Sequence, residues 1–229
     1  MILTERQNNI LKTLKANRTA NVKWLAKTLY VSEATIRRDL KEMQSLGLLE
    51  RSHGGAILPE NSAEISMFVR MQKNAKQKEK IATSALAHIP SFRSLFIDSS
   101  STALALAERM ELGFKTVVTN SLQTALVLSK KENINLILLG GNVQSNTNST
   151  TGSWTSSQLN DFSFDLMLCS CAAIKGEEVF ERSLDQKEIK RIAFSRSVKR
   201  ILLADSSKFN ADGFYRFSSL PDFDFVFSD

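Results

Sequence analysis

The chain has 229 residues, enough for one large domain or two small ones, and 42% of them are apolar, enough for a real core. It holds no run of ~18 apolar residues, which argues against a membrane-spanning helix. Its first residues lack the apolar block and small-residue cleavage site of a signal peptide, so no membrane association and a cytoplasmic location are expected.

The formal charge of +6 is concentrated at one end. Residues 1–58 hold ten Lys and Arg against five Asp and Glu, while residues 59–229 hold twenty against nineteen. A basic head on a nearly neutral body points to nucleic acid at the head. Residues 5–15, "ERQNNILKTLK", place Ile10, Leu11 and Leu14 at helical spacing, with Thr4 as the cap and "ANRTA" as the end. "NVKWLAKTLY" puts Val22, Leu25, Ala26 and Leu29 on one face of a second short helix. After the break at "VS", Ser32 is a good N-cap for a third helix, in which Ile36, Leu40 and Met43 recur at i, i+4, i+7 and face a core.

Thr35, Arg37, Arg38 and Lys41 lie off that stripe. In a helix-turn-helix the N-terminal half of the second motif helix enters the major groove. Arginine suits that place, because its planar fork grips guanine O6 and N7 together, or a phosphate through two donors. Adjacent helix positions point about 100° apart, so one arginine can read a base while the other holds the backbone. The alternative is a solvated basic face with Arg37 or Arg38 paired to Glu33 or Glu42. The next segment, "LGLLERSHGGAIL", sets two short apolar runs around His53-Gly54-Gly55, whose glycines supply the positive φ angles of a hairpin turn. A third helix followed by a hairpin is a winged helix-turn-helix, with Arg51, His53 and Gly54 on the wing, within reach of the sugar-phosphate backbone.

Beyond Pro59 the chain turns polar, then basic, and runs into a helix through "IATSALAHI". The cluster Arg70, Lys73, Lys76, Lys78 and Lys80 reads as a solvated helix face. Short apolar runs then alternate with helical segments. The strand candidates are "SLFID", "TVVT", "NLILLG", "FDLMLCS", "RILLAD" and "DFVFS", and the helices include "STALALAERM", "SLQTALVLSKK" and "LDQKEIKRIAFSRSV". Such alternation means βα units on a largely parallel sheet with right-handed crossovers. The expected fold is therefore α/β in two domains: a small winged helix-turn-helix over 1–58, a linker over 59–75, and a larger α/β domain over 76–229 for effector sensing and oligomerisation. Cys169 and Cys171 read as small core residues of a reducing compartment, with no disulfide between them. Two cysteines and two dispersed histidines make no metal site, and no cofactor is expected.

The strand ends carry polar turns: Asp98-Ser99-Ser100-Ser101-Thr102, Thr119-Asn120-Ser121, Gly140-Gly141 and Asp205-Ser206-Ser207-Lys208. Ligands of open α/β sheets bind at the carboxyl ends of strands. Hydroxyls and free N–H groups at a helix start suit a phosphate, and Asp and Asn suit sugar hydroxyls. The competing explanation is capping, since strand-to-helix turns favour these residue types anyway.

The stretch "VSEATIRRDLKEMQSLGLLERSHGGAI" is very similar to the signature of the DeoR family of bacterial transcription regulators: a serine start, Thr-Ile-Arg-Arg-Asp-Leu, a Gly-Leu step and a closing Arg-x-His-Gly-Gly-Ala. The resemblance implies that Ser32, Thr35, Arg37 and Arg38 lie at DNA. "VVTNS", "LLGGNV" and "LLADSSKF" resemble the sensor domain of that family, which is similar in fold to ribose-5-phosphate isomerase and the coenzyme A transferases. The sites implied there bind phosphorylated sugars. Carried over, the effector-binding candidates are Asp98, Ser99, Ser101, Thr102, Thr119, Asn120, Gly140, Gly141 and Lys208. The chain departs from the pattern at Ser100, where glycine is usual and a Cβ restricts positive φ. It also departs at "CSCAAIKG", which is poor in glycine, and at Gln186, where a Glu four residues before Lys190 is usual. The resemblance implies a sequence-specific transcriptional regulator, a repressor of carbohydrate-metabolism genes, whose affinity for double-stranded operator DNA is switched by a phosphorylated sugar. Paired half-sites call for a homo-oligomer. Two alternatives stand beside it: a sugar-phosphate isomerase or transferase-like enzyme, which would need an acid/base pair, and a DNA-binding protein with a vestigial sensor.

Overall fold

A computed structural model describes residues 3–46, 48–58 and 66–229, the side chain of Lys15 excepted. The chain divides into two compact units, Met1–Gln72 and Lys73–Asp229. Of the stretch expected as linker, residues 59–65 lie outside the described residues, 66–72 belong to the first unit, and the second unit starts at Lys73.

The first unit runs α1 (Glu5–Asn17), β1 (Thr19–Asn21), α2 (Val22–Thr28), α3 (Glu33–Ser45), β2 (Glu50–Ser52), β3 (Gly55–Ile57) and α4 (Met67–Gln72). Thr4 opens α1 with a capping box: its hydroxyl accepts the Gln7 N–H at 3.2 Å, and the Gln7 side chain accepts the Thr4 N–H at 2.9 Å. Ile10, Leu14, Leu25, Ile36, Leu40 and Met43 form the fully buried centre of this unit. Two side-chain pairs clamp α1 to α3. Arg6 grips the buried Asp39 through two nitrogens, at 2.5 and 3.1 Å, and Gln7 donates to Glu42 at 3.0 Å. Val69 of α4 packs on the same core, and the Ser66 hydroxyl donates to the Leu46 carbonyl at 3.1 Å.

The wing is a three-stranded sheet in the order β1-β3-β2, not the two-stranded hairpin expected. The extra strand is three residues long, too short to show alternation. It also explains one of the glycines. Gly54 has φ +82, as a hairpin turn requires, but Gly55 serves another purpose: a Cβ there would fall 2.3 Å from the Ala20 carbonyl oxygen of β1.

The second unit runs α5 (Ala75–Leu86), β4 (Ser94–Ile97), α6 (Ser101–Ala107), β5 (Thr116–Thr119), α7 (Leu122–Leu128), β6 (Asn135–Leu138), β7 (Asn142–Gln144), β8 (Ser149–Thr151), α8 (Ser153–Asn160), β9 (Phe164–Cys169), β10 (Ala173–Lys175), β11 (Glu178–Glu181), α9 (Leu184–Ser195), β12 (Ser197–Leu203), β13 (Tyr215–Ser219) and β14 (Phe225–Phe227). The six apolar runs form one parallel sheet in the order β14-β12-β9-β4-β5-β6. Successive strand residues feed opposite faces. Leu95, Ile97, Leu166, Leu168, Ile201 and Leu203 pack with α5 and α6, while Phe96, Met167, Cys169 and Leu202 pack with α9 and a small antiparallel sheet, β10-β11-β13. Cys169 and Cys171 are both buried in the second layer, and burial pushes the Cys171 thiol up to about 12.

From β4 the chain winds to β5 and β6 on one side, then crosses to β9, β12 and β14 on the other. The carboxyl ends of β4 and β9 therefore meet at the point where strand order reverses, the place where such sheets open a crevice. One expectation about α5 is corrected: Lys78 does not sit on a solvated face but is buried, its ammonium donating to the Lys73 carbonyl at 2.6 Å.

Candidate DNA-binding surface and effector site

In the first unit, Ser32 caps α3 by accepting the Thr35 N–H at 3.1 Å, and the two hydroxyls lie 2.9 Å apart. With Ile36, Asp39, Leu40 and Met43 turned inward, Arg37, Arg38 and Lys41 form the exposed stripe of the helix, at i, i+1 and i+4. Arg37 pairs with Glu33 at 2.9 Å, one of the two partners foreseen for it, whereas Glu42 is engaged by Gln7. An exposed i, i+4 pair is worth roughly 0.3–0.5 kcal/mol, against ~1–3 kcal/mol for a base-reading arginine. The pair is thus too weak to hold Arg37 against a stronger partner. Arg51, His53 and Gly54 are all exposed on the wing.

In the second unit, the reversal point between β4 and β9 is filled by a buried ion cluster. Asp98, just past β4, is 1% exposed. One carboxylate oxygen accepts the Ser100 N–H at 3.0 Å and the Ser100 hydroxyl; the other accepts the Ser170 N–H at 3.2 Å and the Lys190 ammonium. Lys190, 4% exposed, also donates to the Ser170 carbonyl at 2.6 Å, pairs with Glu181 at 3.0 Å and sits 5.7 Å from the centre of the Phe217 ring. Burial alone would lower the Lys190 pKa, but Asp98 and Glu181 outweigh it and hold the ammonium above its ordinary value.

A neutral network continues from the cluster. Ser99 donates to Gln186 at 2.9 Å, Gln186 donates to Ser149 at 2.9 Å, and the Ser149 and Thr147 hydroxyls lie 2.7 Å apart. Thr119 donates to the Ile97 carbonyl at 2.7 Å and accepts the Ser121 N–H at 3.0 Å. Asn120 donates to the Thr150 carbonyl at 3.0 Å, while its side-chain oxygen is buried and accepts nothing from the described residues; the Thr124 hydroxyl is in the same condition. Ser101 and Thr102 are buried in the first turn of α6.

Gly140 has its N–H and carbonyl taken by Gln158 and Thr155 of α8. Gly141, at φ +146, lies so close to Thr155 that a Cβ would overlap its hydroxyl. These glycines thus seat α8 against the end of β6. Asp205 caps the single helical turn Ser206–Lys208 and accepts from Asn74. Its burial would raise its pKa, but Ser207, Asn74 and the ammonium groups of Lys208 and Lys78 hold it below the ordinary value. Lys208 is half-buried.

Among the described residues no His, Cys, Asp or Glu group could hold a metal, and no helix is long and apolar enough to cross a membrane. Residues 6–62 match the DeoR-like helix-turn-helix domain, and residues 73–229 match the DeoR C-terminal sensor domain. The HTH-type transcriptional regulator GolR of Listeria innocua is 34% identical, over 89% of this chain and 82% of its own. The chain belongs to the DeoR family. Other family members are similarly close. The lactose phosphotransferase system repressor of Streptococcus mutans is 33% identical, over 94% of this chain and 88% of its own. The glycerol-3-phosphate regulon repressor of Escherichia coli is 30% identical, over 99% and 90%.

This DeoR-family chain is thus a DNA-binding transcriptional regulator, built as a helix-turn-helix head and an α/β sensor body. Asp98, Ser99, Ser101, Thr102, Thr119 and Asn120 do gather at neighbouring ends of β4 and β5. Sequence reasoning noted Lys190 only as a position of the family pattern and gave it no role as the counter-charge of Asp98, and it missed Glu181, the second carboxylate on Lys190, and Ser149. A signal for Lys190 existed: on α9 it shares the buried stripe Gln186, Ile189, Lys190 and Ala193, and a cation on a core stripe needs a buried partner. Ser100 corrects a second expectation. Its φ is −87°, so no left-handed residue is needed there, and its hydroxyl caps α6 by accepting the Ala103 N–H at 3.2 Å.

Proposed function

We propose that this regulator is a cytoplasmic repressor of carbohydrate-metabolism genes, that it binds paired operator half-sites as a homo-oligomer, and that a phosphorylated sugar or sugar alcohol in the sensor unit changes its operator affinity. The observation that carries the effector half is the buried Asn120 oxygen at the end of β5. A buried acceptor left unmet costs ~1–3 kcal/mol, which a ligand hydroxyl recovers. Lys208, on the turn after β12, meets the phosphate. Relatives named for lactose phosphotransferase and glycerol-3-phosphate regulation support the ligand class.

The sensor acts by binding rather than by catalysis. Asp98 has both oxygens engaged and Lys190 is held between two carboxylates, which ill suits either to proton transfer on a substrate. Thermal shift against glycerol 3-phosphate, hexose 6-phosphates and pentose 5-phosphates tests the proposal. A ligand at 100 times its Kd stabilises the native state by ~2.7 kcal/mol, enough to move the melting temperature by several degrees. The same compound should change the mobility shift of operator DNA selected from a random pool, and Lys208→Ala should respond to neither. Wild-type indifference to every sugar phosphate, or a fully responsive Lys208→Ala, refutes it.

A further inference from the structure

Asn74 is the second residue of the sensor unit and the N-cap of α5. It stands in the left-handed region, at φ 55 and ψ 36, yet its side chain makes no hydrogen bond to its own helix. An N-cap asparagine ordinarily accepts an N–H from the first turn. This one donates elsewhere: its amide reaches Asp205 at 2.9 Å and the Ser207 hydroxyl at 3.0 Å, some 131 and 133 residues along the chain. Asp205 accepts in addition the Ser207 N–H at 3.2 Å and the Ser207 hydroxyl. One turn along α5, the buried Lys78 reaches back to the Lys73 carbonyl and closes the helix start upon itself. The point at which the chain enters the sensor unit and the turn that carries Lys208 therefore share one hydrogen-bonded knot.

We propose that Asn74 is a positioning residue for the regulatory response: its amide ties the first turn of α5 to the Asp205–Lys208 turn, so that a shift of either turn moves the other. The effector half of this statement rests on the function proposed above; the DNA half rests on chain connectivity alone. The chain passes from the end of α4, in the DNA-binding unit, into Lys73 and Asn74 with no residue between. Hydrogen bonds at 2.9–3.0 Å weaken steeply when stretched or bent, so the two turns move together or the bonds break. Coupling between sites is reciprocal, so operator binding acts back on the 205–208 turn as effector binding acts on the operator.

The test needs no effector. Asn74→Gly keeps the left-handed backbone, which glycine adopts without strain, and removes the amide. Amide hydrogen exchange of residues 205–209 in the full chain is measured with and without selected operator DNA. The expected result is an exchange change on DNA binding in wild type, its loss in Asn74→Gly, and operator affinity within about threefold of wild type, below the usual 5- to 150-fold range of allosteric coupling. A merely structural brace would lower the melting temperature of Asn74→Gly and leave the DNA-induced change in place. No change in wild type, or the same change in the variant, overturns the proposal. Ser207→Ala, on an exposed residue, removes one of the two acceptors, must reduce the change, and serves should Asn74→Gly fail to fold. A sugar-phosphate panel without effect, beside an intact DNA-induced change, removes the effector proposal and supports the tie; an active sugar phosphate with no DNA-induced change does the reverse.

Discussion

At the scale of single residues, the exposed stripe of α3 is where a local rule sufficed. Ser32 as cap and Ile36, Leu40 and Met43 as core follow from a side-chain preference and a 3.6-residue period, both contained within a dozen residues. The arginines then point outward by subtraction. Arg37→Ala with Arg38→Ala should leave the fold intact, because both side chains are exposed and only the weak Glu33 pair is lost. Operator affinity should fall by ~1–3 kcal/mol for a base contact, with relaxed specificity, and by a further, sequence-independent amount with a smaller salt slope for a phosphate contact. Mobility shifts at two salt concentrations separate these, and normal binding by the double variant removes the groove assignment. Asp39, the next residue, was not legible. Its role is to receive Arg6 from a helix 33 residues earlier, and nothing local announces a partner so distant.

Among elements, legibility followed length and pattern. All six strands of the parallel sheet were visible as apolar runs between polar turns: the inner strands because strands covered on both faces have little polar surface to interrupt them, the more exposed edge strands β6 and β14 because their runs are apolar all the same. The short strands β7, β8, β10 and β11 were not, since three or four residues are too few to show a period, and β7 is exposed throughout while β8 is buried throughout. Neither was α8, whose "SWTSSQLN" buries only Thr155 and Leu159. Helix α9 was seen, but its central cation was assigned no partner. Lys190→Met should therefore be costly, ~3–5 kcal/mol at pH 7, since it strands Asp98 and Glu181 in the interior without a counter-charge. The sign of the pH dependence follows. A raised lysine pKa contributes stability that is complete below the unfolded value of about 10.4 and is lost only as pH rises through the higher native one, so wild type keeps the whole contribution at neutral pH. Urea midpoints of wild type and variant at pH 7 check this, and a small deficit contradicts the ion cluster as a structural centre.

For the whole molecule, the composition shift at Pro59 marked a change of unit but misplaced its edge. The segment "SMFVRMQ" is weakly patterned, and only the structure shows that Ser66 bonds to the Leu46 carbonyl and Val69 packs on the head core. The natural cut is thus after Gln72, where the two units part. A fragment 1–72 should be more stable than a fragment 1–58, which loses both interactions, and the two melting temperatures test that order. The longer fragment carries the entire α3 and wing surface, so it should recognise the same operator as the full chain, but more weakly. If the sensor unit holds heads together on paired half-sites, the second head binds at an effective concentration in the millimolar range, and avidity rises by ~10²–10⁴ without any new DNA contact. Titrations of 1–72 and of the full chain against one operator, and against a half-site alone, distinguish the cases. The full chain should lose its advantage on the half-site while the fragment binds both alike. Equal affinity of fragment and full chain for the complete operator would mean that the sensor unit contributes no oligomerisation to DNA binding.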